Sequence, residues 1–86
     1  MKIARTVRFQ KAWKELNEDE KELAKKALRN MVSDLRYPAL RVKKIKGVEC
    51  IWEARVNQTL RITFQIQGDT IILRNIGRHD ETLERP

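Results

Sequence analysis

The one histidine of the 86-residue chain, His79, directly follows Arg78, and three further arginines, Arg55, Arg61 and Arg74, precede it in stretches where apolar and polar residues alternate. A histidine ordinarily titrates near neutrality and so moves protons, while planar guanidinium groups bind phosphate and stabilise charge developing on it. Together these residue types suit cleavage of RNA. The ribose 2′-hydroxyl attacks the adjacent phosphate, one group takes its proton, and another protonates the departing 5′-oxygen. DNA lacks that nucleophile. Spacing alone also allows the plainer reading, in which the arginines are solvated surface charges and His79 an ordinary surface residue.

The elements that must position these side chains follow from periodicity. Trp52, Ala54 and Val56 alternate with Glu53 and Arg55, and Leu60, Ile62, Phe64 and Ile66 alternate with Arg61, Thr63, Gln65 and Gln67. Both segments read as half-buried strands. A slip of one residue would turn every apolar side chain outward, so the register is constrained. Matching Trp52, Ala54 and Val56 with Phe64, Ile62 and Leu60 leaves Asn57-Gln58-Thr59 as the loop and sets Arg55 opposite Arg61. A Gly68-Asp69 turn then pairs Phe64 with Leu73, Thr63 with Arg74 and Leu60 with Gly77 in a last strand from about Thr70 to Ile76, because Gly68 accepts a positive backbone angle. This register predicts three arginines on one face, with Arg78 and His79 emerging beside Arg61. Like charges facing across a sheet oppose folding, which leaves an anion as the natural partner unless Glu53 neutralises them. Lys43, Lys44 and Lys46 extend the basic surface as further RNA contacts.

Upstream, Ile3, Val7 and Phe9 suggest a first strand. Phe9, Trp13 and Leu16 share one face of a short helix ending near Leu16. Asn17 followed by Glu20 resembles a capping box, and Glu18, Asp19 and Glu20 suit the start of a second helix. Its apolar stripe is Leu23, Ala27, Leu28, Met31 and Leu35, ended by Tyr37-Pro38. Residues 40 to 46 read as a less regular strand, with a bulge near Ile45.

Composition narrows the class. Hydrophobic content of 41% beside 36% charged residues describes a folded chain with a heavily charged surface. A length of 86 predicts a single domain over residues 1–86 with a modest core, and excludes a cleft between domains. The net charge of +7 calls for a polyanionic partner. Residues 36 to 78 carry most of it, with Arg36, Arg41, Lys43, Lys44, Lys46, Arg55, Arg61, Arg74 and Arg78 set against Glu49, Glu53 and Asp69. Cys50 and His79 are the only cysteine and histidine, so no intramolecular disulfide or Cys/His metal site is expected, and no cofactor. The longest strongly apolar run, Ile71-Ile72-Leu73, is far too short to cross a membrane, and a cytoplasmic protein without a membrane partner is expected.

The run Leu40-Arg41-Val42-Lys43-Lys44-Ile45-Lys46-Gly47, then Ile51-Trp52-Glu53-Ala54-Arg55-Val56, Leu60-Arg61-Ile62-Thr63-Phe64 and Asn75-Ile76-Gly77-Arg78-His79-Asp80, resembles the RelE/ParE superfamily of bacterial and archaeal toxins. The resemblance spans nearly the whole chain. It implies an α+β fold of the RelE type, in the order β-α-α-β-β-β(-β), with an antiparallel sheet of four to five strands packed on two N-terminal helices. It also implies a type II toxin with a cognate antitoxin as partner, and ribosome-dependent cleavage of mRNA that inhibits translation. Carried over by position, Arg55 and Arg61 become phosphate and transition-state contacts, and Arg78 and His79 occupy the C-terminal active-site position. Where many nuclease members carry an aromatic, often Tyr, this chain has Leu83. The ParE branch inhibits DNA gyrase, so that activity, or RNA and ribosome binding without catalysis, stands as the alternative.

Overall fold

The computed structural model describes residues 1–86 and begins with a four-residue strand, β1 (Lys2–Arg5), which Thr6 turns into a helix, α1 (Val7–Lys14). The Thr6 hydroxyl oxygen accepts from the Phe9 amide at 3.1 Å, and its hydrogen is shared between the carbonyls of Leu73 and Arg74 at 2.9 and 3.2 Å. One residue thus caps the helix and ties it to the sheet. Val7 and Phe9 are therefore helical, not the end of the first strand. Phe9 is buried and Val7 faces water.

Asn17 starts α2 (Glu18–Ser33) through the expected reciprocal bonds, Glu20 N to Asn17 Oδ1 at 2.8 Å and Asn17 N to Glu20 Oε1 at 2.9 Å. Its buried face is Ala24, Ala27, Leu28 and Met31. Leu23, assigned to the core from its spacing, is 42% exposed, because the stripe is centred one residue later on Ala24. After Asp34 the chain makes a 3-10 turn (Pro38–Leu40) and passes through Arg41 in a left-handed conformation, φ 44°. That turn replaces most of the strand expected over residues 40 to 46 and leaves only β2 (Lys43–Lys44).

The three remaining strands are β3 (Trp52–Arg55), β4 (Leu60–Gln67) and β5 (Thr70–Arg78), and the five lie in the order β1-β5-β4-β3-β2. The sheet is mixed and not wholly antiparallel, since β1 runs parallel to β5 from Lys2↔Thr70 to Arg5↔Leu73. Both helices and three strands intervene between these neighbours, which permits the parallel pairing. The β3–β4 register agrees with the hydrophobic pattern, including Arg55↔Arg61. The β4–β5 register agrees only as far as Phe64↔Leu73. Beyond it a bulge inserts Arg74 as an extra residue, so Thr63 pairs with Asn75 and Leu60 with Arg78, one residue later than strict alternation requires. The cause is the spacing of Leu73 and Ile76, which are both buried although three apart. An unbroken strand would put Ile76 in water.

The core joins Phe9, Leu16 and the apolar faces of α2 to Ile62, Phe64, Ile71, Leu73 and Ile76 on one side of the sheet. The opposite side is partly covered by a third helix that the sequence reading lacked, α3 (His79–Glu84). It packs on β4 and β5 because Gly77 leaves room there, where a Cβ would lie 2.8 Å from Thr82 Oγ1. Thr63 Oγ1 then donates to the Pro86 carbonyl at 2.9 Å. No helix is long and apolar enough to cross a membrane.

Candidate functional site

Glu53, Arg55, Arg61 and Lys43 project from the side of the sheet opposite Ala54 and Ile62. Glu53 is 4% exposed, with its Oε1 3.9 Å from Arg61 Nε and 4.0 Å from Lys43 Nζ. At these distances the attraction is electrostatic, without hydrogen bonds. Burial holds the Arg61 guanidinium below its ordinary pKa, Arg55 pushes it further down, Glu53 opposes, and Arg41 adds to the lowering. Arginine keeps its charge regardless. Glu53 thus offsets Arg61 and Lys43, while Arg55 and Arg41 repel Arg61, and a bound anion would relieve that repulsion.

The loop between β3 and β4 fixes Arg61 and brings His79 to it. Asn57 Oδ1 accepts from the amides of Thr59 and Leu60 at 2.9 and 2.8 Å, a local turn typical of asparagine. Arg61 Nη1 donates to the Asn57 carbonyl at 2.7 Å and the Leu60 carbonyl at 3.0 Å. On the loop's other side the His79 amide donates to the Thr59 carbonyl at 2.8 Å. The result is an open depression of about 310 Å³ lined by Gln58, Thr59, Arg61, Arg78, His79 and Asp80, with no apolar side chain. His79 Nδ1 lies 3.2 Å from Asp80 Oδ1, and Nε2 is the ring nitrogen left without a partner.

Arg61, Arg78 and His79 therefore all line one depression, with Arg55 opposite Arg61, although the shifted register sets Arg78 across from Leu60, where it also lines a hollow with Arg8 and Leu16. Arg74 does not line the depression: the bulge moves it from its expected place opposite Thr63, although its bond to Gln65 keeps it on the Arg61 face of the sheet. Arg74 Nη1 donates to Gln65 Oε1 at 2.7 Å and its Nε to the Pro86 carbonyl at 3.2 Å, so it anchors the C-terminal segment. The lysines also divide. Lys43 pairs with Glu53 on the arginine side, Lys44 pairs with Trp52 and faces the other way, and Lys46 lies in the exposed turn beyond β2. Two members of the site escaped the sequence reading. Asp80 had a signal in its position next to His79, whereas Arg41, which acts on Arg61 only through its charge, lies far from it in sequence and had none.

No group of three or more His, Cys, Asp or Glu side chains is placed to hold a metal ion. No protein-family model matches the chain, and no curated protein matches it. Solved structures do. The RelB-RelE antitoxin-toxin complex of Methanococcus jannaschii superposes with a TM-score of 0.76 at 22% identity, covering 96% of this chain and 99% of that one. The RelBE toxin-antitoxin complex of E. coli gives 0.71 at 19% identity, with 90% and 94% covered, and a YoeB/ParE toxin from Agrobacterium tumefaciens gives 0.75 at 16%, with 92% and 99% covered. With both chains matched over nearly their full length, this chain has the fold of the RelE-like toxins.

Proposed function

We propose that residues 1–86 form one toxin domain of a type II toxin-antitoxin system, an endoribonuclease that cleaves mRNA on the ribosome. The observation that carries this reading is the depression in which Arg61, Arg78 and His79 converge without an apolar lining. In the proposed reaction the 2′-hydroxyl oxygen bonds to the adjacent phosphorus, the bond from phosphorus to the 5′-oxygen breaks, and a 2′,3′-cyclic phosphate remains. Arg61 and Arg78 neutralise charge gathering on the phosphoryl oxygens, and His79 Nε2 protonates the leaving 5′-oxygen. The chain offers one imidazole here, so water takes the proton of the attacking hydroxyl. An open depression without walls to enclose a strand holds RNA loosely, which is the physical reason to expect that the ribosome presents the substrate. Arg55 and Lys43 follow the strand backbone.

Two of the similar structures are toxins bound to antitoxins. By analogy, the partner that silences this chain is an acidic antitoxin segment whose carboxylates take the place of phosphate over Arg55 and Arg61. Induction of the chain alone should halt translation and leave transcripts with new ends. His79→Ala should slow that cleavage by ~10²–10⁴-fold, the usual contribution of a positioned acid or base. Intact transcripts with failed DNA supercoiling would sink the nuclease reading in favour of gyrase. Salt-sensitive RNA binding that survives His79→Ala without any cleavage would leave a binding module.

A further inference from the structure

A second depression adjoins the arginine pair, and nothing in the cleavage scheme uses it. It measures about 140 Å³ and is bounded by Tyr37, Arg55, Lys26 and Asn30 over an apolar floor that includes Leu23 and Ala27, with no acidic residue in its lining. Tyr37 is 47% exposed although large. It stacks on no other aromatic ring, the one aromatic pair being Phe9 and Trp13. Its placement is nonetheless fixed. Pro38 starts the 3-10 turn directly after it, the Tyr37 amide donates to the Asp34 carbonyl at 3.0 Å, and the Tyr37 carbonyl accepts from the Leu40 amide at 3.0 Å. A backbone fixed on both sides thus presents a half-exposed aromatic ring in a depression that two cations, Lys26 and Arg55, also line.

Arg55 lines this depression and lies directly opposite Arg61, which lines the first, so one cation of the pair belongs to each hollow. Resting on the RNA reading above, we propose that Tyr37 stacks on one unpaired base of a single-stranded RNA whose phosphate, one step along, lies on Arg55 and whose scissile phosphate lies at Arg61. The hollow is below the ~300–1,000 Å³ of a site that encloses a whole small ligand, and it suits a single planar ring laid on the surface. Stacking on an aromatic side chain flanked by cations is the common way to hold unpaired bases, and it tolerates any base identity. Asn30 contributes an amide with both donor and acceptor, able to bond a base edge.

The test uses the full chain and two end-labelled decamers of 2′-O-methyl RNA, which cannot be cut because the nucleophile is blocked, one with all bases and one with abasic residues. At low salt, where phosphate contacts are strong, Tyr37→Ala should weaken binding of the intact strand by ~5–150-fold, the equivalent of 1–3 kcal/mol for one stacked base. It should leave the abasic strand unchanged, and Tyr37→Phe should bind like the parent. Equal loss on both strands, or no loss on either, overturns the proposal. If transcripts are still cut in a His79-dependent way while Tyr37→Ala binds normally, this inference fails alone. If Tyr37 and the bases matter for binding but no transcript is cut, this inference stands and nuclease chemistry fails. Binding of neither strand overturns this inference, and cleavage of transcripts on the ribosome decides the nuclease reading separately.

Discussion

Arg61 is held from three sides, by the Asn57 and Leu60 carbonyls and by the field of Glu53, and this pre-positioning is what a phosphate contact needs. Glu53 is the pivot. Replacing it by Gln keeps the shape but removes the one negative charge among Arg41, Lys43, Arg55 and Arg61. Glu53→Gln should lower stability in urea unfolding, because Arg61 and Lys43 lose the carboxylate that offsets the repulsion among the cations. Added phosphate should recover part of that loss, because an anion bound only to the folded state stabilises it. A variant indifferent to phosphate would mean that the arginine face does not attract anions. Asp34 offers a separate test with pH. Its carboxylate accepts from the Arg36 amide at 2.9 Å and the Arg36 Nε at 3.3 Å, and these bonds, the backbone one first, lower its pKa from 3.8. The folded state therefore gains from this group above that value and loses the gain as pH falls through the lower folded pKa. An NMR titration should place the Asp34 midpoint below 3.8. Arg36→Ala should return it only partway, since the backbone donor remains.

At the level of elements, α3 sits on the sheet by virtue of what Gly77 lacks. A methyl group there would meet Thr82 Oγ1 at 2.8 Å, and a short β-branched side chain has little freedom to move away. Gly77→Ala should therefore loosen α3 by ~1–3 kcal/mol, the usual cost of overpacking. Faster amide exchange across residues 79–84 would show it, and Thr82→Ala in the same chain should restore part of the protection. If the double variant exchanges no more slowly than Gly77→Ala, the contact does not hold the helix. The element matters for function because His79 begins it, so a displaced α3 carries the imidazole away from Arg61. Thr6 plays the matching part at the other end, where capping α1 and bonding the Leu73 and Arg74 carbonyls fasten the helix along the bulge.

Across the whole molecule, apolar burial lies on one side of the sheet and the cationic site on the other, so core and function are separable to a degree. Phe64 is fully buried at the centre of β4. Phe64→Ala should cost ~3–5 kcal/mol, a large share of the ~5–15 kcal/mol that stabilises small domains, and thermal unfolding should show the loss. Arg55→Ala should instead leave unfolding nearly unchanged, weaken RNA binding, and reduce the dependence of affinity on salt by about one phosphate contact. An unchanged salt slope would take Arg55 out of the RNA path.

The sequence alone determined whatever depends on local pattern. The capping box at Asn17, the turn at Gly68 and the pairing of Arg55 with Arg61 were legible because neighbouring residues and a period of two specify them, and the order of charged and apolar segments resembled a toxin fold that the solved structures share. Only the tertiary structure decided the rest. The bulge at Arg74 exists because Ile76 must reach the same core as Leu73, the parallel strand because β1 covers one half of β5, and α3 because Gly77 admits it. Arg74 thereby left the arginine row to anchor the C-terminal segment, while Asp80 and Arg41 joined the site and Tyr37 was placed beside Arg55. These are contacts between segments far apart in the chain, and periodicity carries no information about them.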